Sequence, residues 1–194
     1  MYLSWNEQII TDFSDAHINT LYREGYLFTR VDRGVMKQTR SVRIDLSQFE
    51  LSSENRRILK KTEWIEIKKE TLPYANYSWK IGKLAKDFYE TKFGKKTFSA
   101  NKIKELLTTN KSNFNRVFVY SYNGEPIGYC IARETNEMIH YSYPFYTLNS
   151  QPRHGNDDAG GSFCERTRQK IYLSWQCPAS DRYLQTAIRG VGVV

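Results

Sequence analysis

Cysteine is scarce in this chain: three residues, Cys130, Cys164 and Cys177, with no Cys-x-x-Cys pair among them. Three cannot all pair within one chain, so neither a disulfide framework nor a cysteine zinc site is expected. Thiols buried or incidental in a reducing compartment are the reading instead. The three histidines, His17, His140 and His154, form no Ser/His/Asp or metal-ligand pattern. No segment approaches the ~18 uninterrupted apolar residues that cross a bilayer. The opening Met-Tyr-Leu-Ser-Trp-Asn-Glu has no basic stretch leading into an apolar one. A cytoplasmic protein with no membrane partner and no metal is expected.

Aromatics and positive charge are what the chain has in quantity. Of 194 residues 14% are aromatic, including fourteen Tyr and ten Phe, which calls for a packed interior rather than disorder. The formal charge is +8. It is unevenly placed, because Arg33–Lys61 holds eight basic and three acidic residues, a net of +5. A short block carrying most of the excess favours a polyanionic partner over general solvation.

Apolar spacing and turn residues divide the chain. Ser14 is placed to cap a helix reaching Glu24, with Ile18, Leu21 and Tyr22 on one face and Gly25 as its stop. Tyr26–Arg30 and Arg40–Leu46 read as strands around an Asp32-Arg33-Gly34 turn. Ser52 or Ser53 starts a helix running to about Thr62, and Trp64–Lys68 reads as a further strand. A helix over Trp79–Phe93 closes at Gly94, and Ser99 caps another with Ile103, Leu106 and Leu107 inward. Asn123-Gly124 between Val117–Tyr122 and Ile127–Arg133 signals a hairpin. Met138–Tyr143 is the next strand, ended by Pro144.

This order of elements matches the first two-thirds of an acetyltransferase-like fold, a mixed α+β or α/β sheet. The expected organisation is an N-terminal lobe over 1–69, the first part of an acetyltransferase-like domain over 70–148, and an aberrant tail over 149–194. In that tail the apolar period does not recover clearly. Back-translated and read one nucleotide later, the tail permits G-M-M-M-L-A, then K-K-Y-I-Y-L-G-S-V-Q-R-P, then Y-K-L-Q-F-E-G-L-E-W. Those segments supply a helix and two strands that the fold otherwise lacks, so a single shift of frame near Asn149–Arg153 is inferred.

The block Arg40-Ser-Val-Arg-Ile-Asp-Leu-Ser-Gln-Phe-Glu-Leu-Ser-Ser-Glu-Asn-Arg-Arg-Ile-Leu-Lys-Lys61 resembles the pro-val-arg … phe … ser … arg-arg signature of the aminoacyl-tRNA–protein transferases. Ser41, Val42 and Arg43 stand at the pro-val-arg, and Phe49, Ser53, Arg56 and Arg57 at the rest. Leu21–Arg30 is similar to the entrance of that family, Tyr120–Tyr129 to its hairpin, and Ile139–Tyr146 to its tyrosine-rich strand. The shifted tail is similar to its C-terminal domain. The resemblance implies an acetyltransferase-like fold and transfer of Arg or Leu from a charged tRNA to a protein or peptide N-terminus, as in the N-end rule. Family members carry metal- or cluster-holding cysteines before the pro-val-arg. Gly34–Arg40 has none, so no cofactor is implied beyond aminoacyl-tRNA as co-substrate.

Such a transfer needs a neutral amine, a polarised ester carbonyl and a held acceptor stem. An α-amine titrates near about 8, so positioning with modest base assistance suffices and no covalent nucleophile is required. Arg43, Arg56, Arg57, Lys60 and Lys61 are the candidates for stem phosphates. Tyr141, Tyr143 and Tyr146 are candidates for a substrate pocket, while the catalytic group is not identifiable. His140 falls on the opposite strand face from Tyr141 and Tyr143 by simple alternation, and Glu125 and Glu134 flank the hairpin. Two other functions fit the fold class: an acyl-CoA N-acyltransferase and a non-catalytic tRNA- or RNA-binding remnant. The former calls for a pyrophosphate-cradling Gly loop that neither frame supplies cleanly. A monomer is expected.

Overall fold

The computed structural model describes residues 6–45 and 50–148 and the backbone of 183–186. Strands β1 (Glu7–Ile9), β2 (Tyr26–Phe28) and β3 (Val35–Gln38) make an antiparallel sheet in the order β1-β3-β2. A six-stranded sheet contains β4 (Val42–Ile44), β5 (Glu66–Thr71), β6 (Arg116–Tyr122), β7 (Glu125–Glu134), β8 (Met138–Tyr146) and β9 (Tyr183–Thr186). Its order is β4-β9-β8-β7-β6-β5, antiparallel throughout except for the parallel β8–β9 pair. Four helices accompany the sheets: α1 (Asp15–Arg23), α2 (Ser53–Lys61), α3 (Trp79–Phe93) and α4 (Ala100–Thr108). The mixed α+β, acetyltransferase-type architecture is the one expected. Residues 1–69 feed both sheets, since β4 and most of β5 join the larger one.

Local chemistry accounts for the elements that the sequence placed well. Gly25 and Gly94 take positive φ (86° and 94°) where α1 and α3 end, a conformation that costs glycine little. Helix α3 buries Ile81, Ala85, Phe88 and Tyr89 on one side, the helical repeat of its apolar residues. Asn123 and Gly124 have φ of 50° and 78°, the two positive values that a two-residue hairpin turn requires. Ser52, rather than Ser53, caps α2: its hydroxyl accepts from the Asn55 amide at 3.1 Å.

Elsewhere the chain departs from the expected boundaries. The strand after α2 begins at Glu66, because the Ile65 amide donates to the Thr62 carbonyl and Ile65 itself is buried in a turn. Trp64 is consumed by an edge-on contact with Tyr122, 4.7 Å between ring centres. Strand β8 does not stop at Pro144 but continues to Tyr146. Its described pairing with β9 ends at Tyr141, so the amide that proline lacks falls beyond that ladder. Between Ile131 and Ala132 the β7–β8 register slips, Tyr141 facing Ala132 and Tyr143 facing Ile131, which leaves Ser142 as an extra residue.

Helix α1 fastens the small sheet to the large one through buried polar bonds. Asn19 accepts from the Thr135 hydroxyl at 2.7 Å and donates to Asn136 at 2.9 Å. Tyr22, 2 % exposed, places its hydroxyl 2.8 Å from His140 Nδ1. On the other side Asn113 closes the 29–34 turn, donating to the Thr29 and Asp32 carbonyls at 2.8 and 2.7 Å and accepting from the Gly34 amide at 2.7 Å. All three polar functions of one buried side chain therefore go to a single turn.

Candidate functional site

Helix α2 gathers most of the basic candidates. Arg56, Arg57 and Lys60 are exposed along it, and Lys61 is its last residue. A spacing of four places Arg56 with Lys60, and the side chain of Lys61 lies outside the described residues. The charges differ in how they are held. Arg57 forks onto Glu54, with Nε donating at 2.6 Å and a second bond from its terminal nitrogen, and these bonds push its pKa up. Arg56 turns back to the Leu51 carbonyl at 2.5 Å, a neutral partner that leaves its charge unbalanced. Lys60 forms no ion pair among the described residues. Arg43 is exposed on β4, the edge strand of the large sheet, where it is paired in register with Gln185. Phe49, the remaining residue of the signature-like block, lies outside the described residues.

The three tyrosines do not share one environment. Tyr146, 3 % exposed, packs its ring on Phe88 of α3, with centroids 4.6 Å apart. Tyr141 is partly buried and its hydroxyl is shut from solvent. Burial pushes that phenol well up, and the neighbouring Cys130 adds to the shift. Tyr143 is half-buried between Phe98 and Phe114, 5.3 Å from each ring centre.

His140 is not opposite Tyr143. Phe114 touches both rings, at 6.3 and 5.3 Å, because the extra residue at Ser142 breaks the alternation. The imidazole is 3 % exposed, lies between Tyr22 and Ser142 (2.9 Å from Nε2 to the serine oxygen), and burial pushes its pKa down to about 3. A ring held neutral and bonded at both nitrogens is a structural histidine. Glu134 is engaged too. Burial would raise its pKa, but hydrogen bonds from Arg116 Nε (2.5 Å) and Lys69 Nζ (2.7 Å) outweigh it and hold the carboxyl low. Cys130 is fully buried and its thiol is pushed well up by that burial, which removes it as a nucleophile. Glu125 stays exposed at the hairpin. No cluster of His, Cys, Asp or Glu suited to a metal occurs among the described residues.

A basic cleft that the sequence had not singled out lies between the 29–34 turn and α4. Arg30, Arg33, Lys102 and Lys111 line it with Asp32, Glu105 and Asn113, around a cavity of about 130 Å³. Its only visible signal in the sequence was two arginines bracketing a turn.

The chain is thus a mixed α+β protein with a six-stranded sheet and a short helix rich in exposed basic residues. No family model matches it, and no curated protein sequence matches it. Among solved structures it is similar to L-PGS from Bacillus licheniformis, at 13% identity and a TM-score of 0.50 over 92% of this chain and 53% of that one. The C-terminal domain of a protein assigned as a lysylphosphatidylglycerol synthetase from Agrobacterium fabrum gives 10% identity and a TM-score of 0.49, over 90% and 52%. An aminoglycoside acetyltransferase from an uncultured soil sample gives 15% and 0.31, over 58% and 72%. The chain spans about half the length of the first two. At these identities the likeness is one of fold.

Proposed function

We propose that the protein transfers an aminoacyl group, Arg or Leu, from charged tRNA to the N-terminus of a protein or peptide. The observation that carries this reading is the serine-capped helix α2, on which Arg56 and Lys60 present charge with no carboxylate partner among the described residues. Exposed cations on a short helix suit phosphates of an acceptor stem. The mixed-sheet fold is similar to that of L-PGS from Bacillus licheniformis. Arg43, Arg56, Arg57, Lys60 and Lys61 hold the stem in this reading, and Tyr143 is the half-buried aromatic nearest to a pocket role. The attacking amine is used neutral, so its own pKa and its placement against the ester carbonyl do the work. The chain acts as a monomer, without metal or cluster.

The reading includes the tail. Residues 149–194 are proposed to be out of frame, and the slot between β8 and β4, occupied here by β9, is where an in-frame tail would close the sheet. A binding-only remnant is the second reading, favoured by that same tail. Both are tested by supplying charged tRNA and a peptide with an acidic N-terminus to this chain and to a version with the frame restored. Transfer by the restored chain alone supports the proposal. tRNA binding by both without transfer by either supports the remnant.

A further inference from the structure

We propose that the cleft between the 29–34 turn and α4 is a second phosphate-binding site, separate from α2, that takes a backbone phosphate of a nucleic-acid strand lying across the protein. Arg30 and Arg33 carry it. Arg30 rests on the Phe98 ring, with its guanidinium carbon 4.3 Å from the ring centre, and donates to the Thr97 carbonyl at 2.7 Å. Arg33 rests on Phe13 at 4.7 Å and donates to the Asn110 carbonyl. Each guanidinium is therefore fixed by an aromatic face and a neutral carbonyl, and neither has a carboxylate ion-pair partner among the described residues. The turn beneath them is clamped by all three hydrogen bonds of Asn113, so the two forks are held before any ligand arrives.

Charge and size choose the ligand. The lining carries four cations, Arg30, Arg33, Lys102 and Lys111, against two carboxylates, Asp32 and Glu105. Glu105 is answered by Lys102 at 2.8 Å, and Lys102 also donates to the Val31 carbonyl at 2.9 Å. Arg30, Arg33 and Lys111 then outweigh Asp32, which leaves a net of +2. A cavity of about 130 Å³ is well below the roughly 300–1,000 Å³ of sites that enclose a small molecule. It admits a phosphate-sized group whose attached chain stays outside, as a phosphodiester does and an enclosed nucleotide does not. This inference takes the identity of the strand, tRNA, from the proposed function, but the phosphate site itself does not depend on that reading.

The test measures the salt dependence of binding to uncharged tRNA and, separately, to a single-stranded RNA oligonucleotide. The variants are Arg33→Ala with Lys111→Gln, Arg33→Lys, Asp32→Asn, and the α2 variant Arg56→Glu with Arg57→Glu, with thermal melting as the check of folding. Loss of cleft contacts should lower the slope of log K against log salt by about 0.7–0.9 per phosphate, whatever the RNA sequence. Asp32→Asn should tighten binding, and Arg33→Lys, which keeps the charge but loses the fork, should recover part of the slope. An unchanged slope in the cleft variant, with α2 reversal still weakening tRNA binding, overturns the cleft and leaves the proposed function standing. Weakening by the cleft variant alone, with no aminoacyl transfer by the frame-restored chain, supports the cleft and removes the proposed function. A chain that binds neither RNA overturns the cleft. Inorganic diphosphate binding as tightly as the oligonucleotide would overturn the assignment to a strand.

Discussion

Two residues show most clearly how position rather than identity sets the chemistry. His140 is neutral because the fold buries it between Tyr22, Ser142 and Phe114. Its pKa falls from the ordinary 6.5 to about 3, so between those values the unfolded chain binds a proton that the folded one refuses. Stability should then fall as pH drops below about 6.5, with a slope contribution of about 1.4 kcal/mol per pH unit from this one group. Glu134, whose pKa is also lowered, acts in the same direction at more acidic pH. Denaturant unfolding from pH 7 to 4 should show a shallower pH slope for His140→Gln than for the parent. An identical slope would show that the imidazole is not held neutral.

Gly34 makes a steric case at the same scale. With φ at +82°, a Cβ built there would lie 2.3 Å from the Ile10 carbonyl oxygen, and the Gly34 amide is the one that Asn113 accepts from. Backbone cannot step aside cheaply, so Gly34→Ala should cost roughly 2–4 kcal/mol, read as a fall in Tm. The sequence marked this glycine as a turn residue. It gave no sign of Asn113, almost eighty positions away, which fixes the same turn.

Among the elements, legibility followed how much of each was decided locally. Helix α3 was read end to end from its apolar period and Gly94, and the β6–β7 hairpin from Asn123-Gly124, because both signals lie inside the element. Strands β1 and β3 were missed, since Glu7–Ile9 and Val35–Gln38 are short and become strands through pairing with each other. The slip at Ser142 was equally invisible: alternation put His140 and Tyr143 on opposite faces, and one extra residue brought both to Phe114. The same limit applies to the site. Basic residues on α2 could be read directly, but the engagement of Arg57 by Glu54 and the joining of Arg30 and Arg33 into a cleft required the fold.

Helix α2 carries its own prediction. Ser52→Ala removes the hydroxyl that caps the Asn55 amide and should cost about 1 kcal/mol. Arg56→Glu with Arg57→Glu leaves that cap in place, so it should weaken tRNA binding while the melting temperature stays near that of the parent. Comparable binding by the charge-reversed protein would remove α2 from the site.

At the scale of the whole molecule, the six-stranded sheet is continued beyond β8 by only four described residues, Tyr183–Thr186, which bridge it to β4. Helix α3, the hairpin and the core around Ile103, Leu107, Val117 and Ile131 all precede Asn149. No helix among the described residues is long and apolar enough to cross a membrane. A chain restored in frame after Asn149 should therefore keep this core and exchange β9 for the strands and helix that the next frame spells. The restored protein should melt at a higher temperature and resist proteolysis better than this one. Equal stability would argue that the tail read as given is the native one.

The central claim, aminoacyl transfer from tRNA, is tested most directly by following radiolabelled arginine and leucine from charged tRNA onto a peptide with an acidic N-terminus, catalysed by the restored chain. Label appearing in the peptide, and falling when Arg56 and Arg57 are reversed to Glu, is the result expected. Label remaining on the tRNA, with a restored chain shown to be folded, would contradict it.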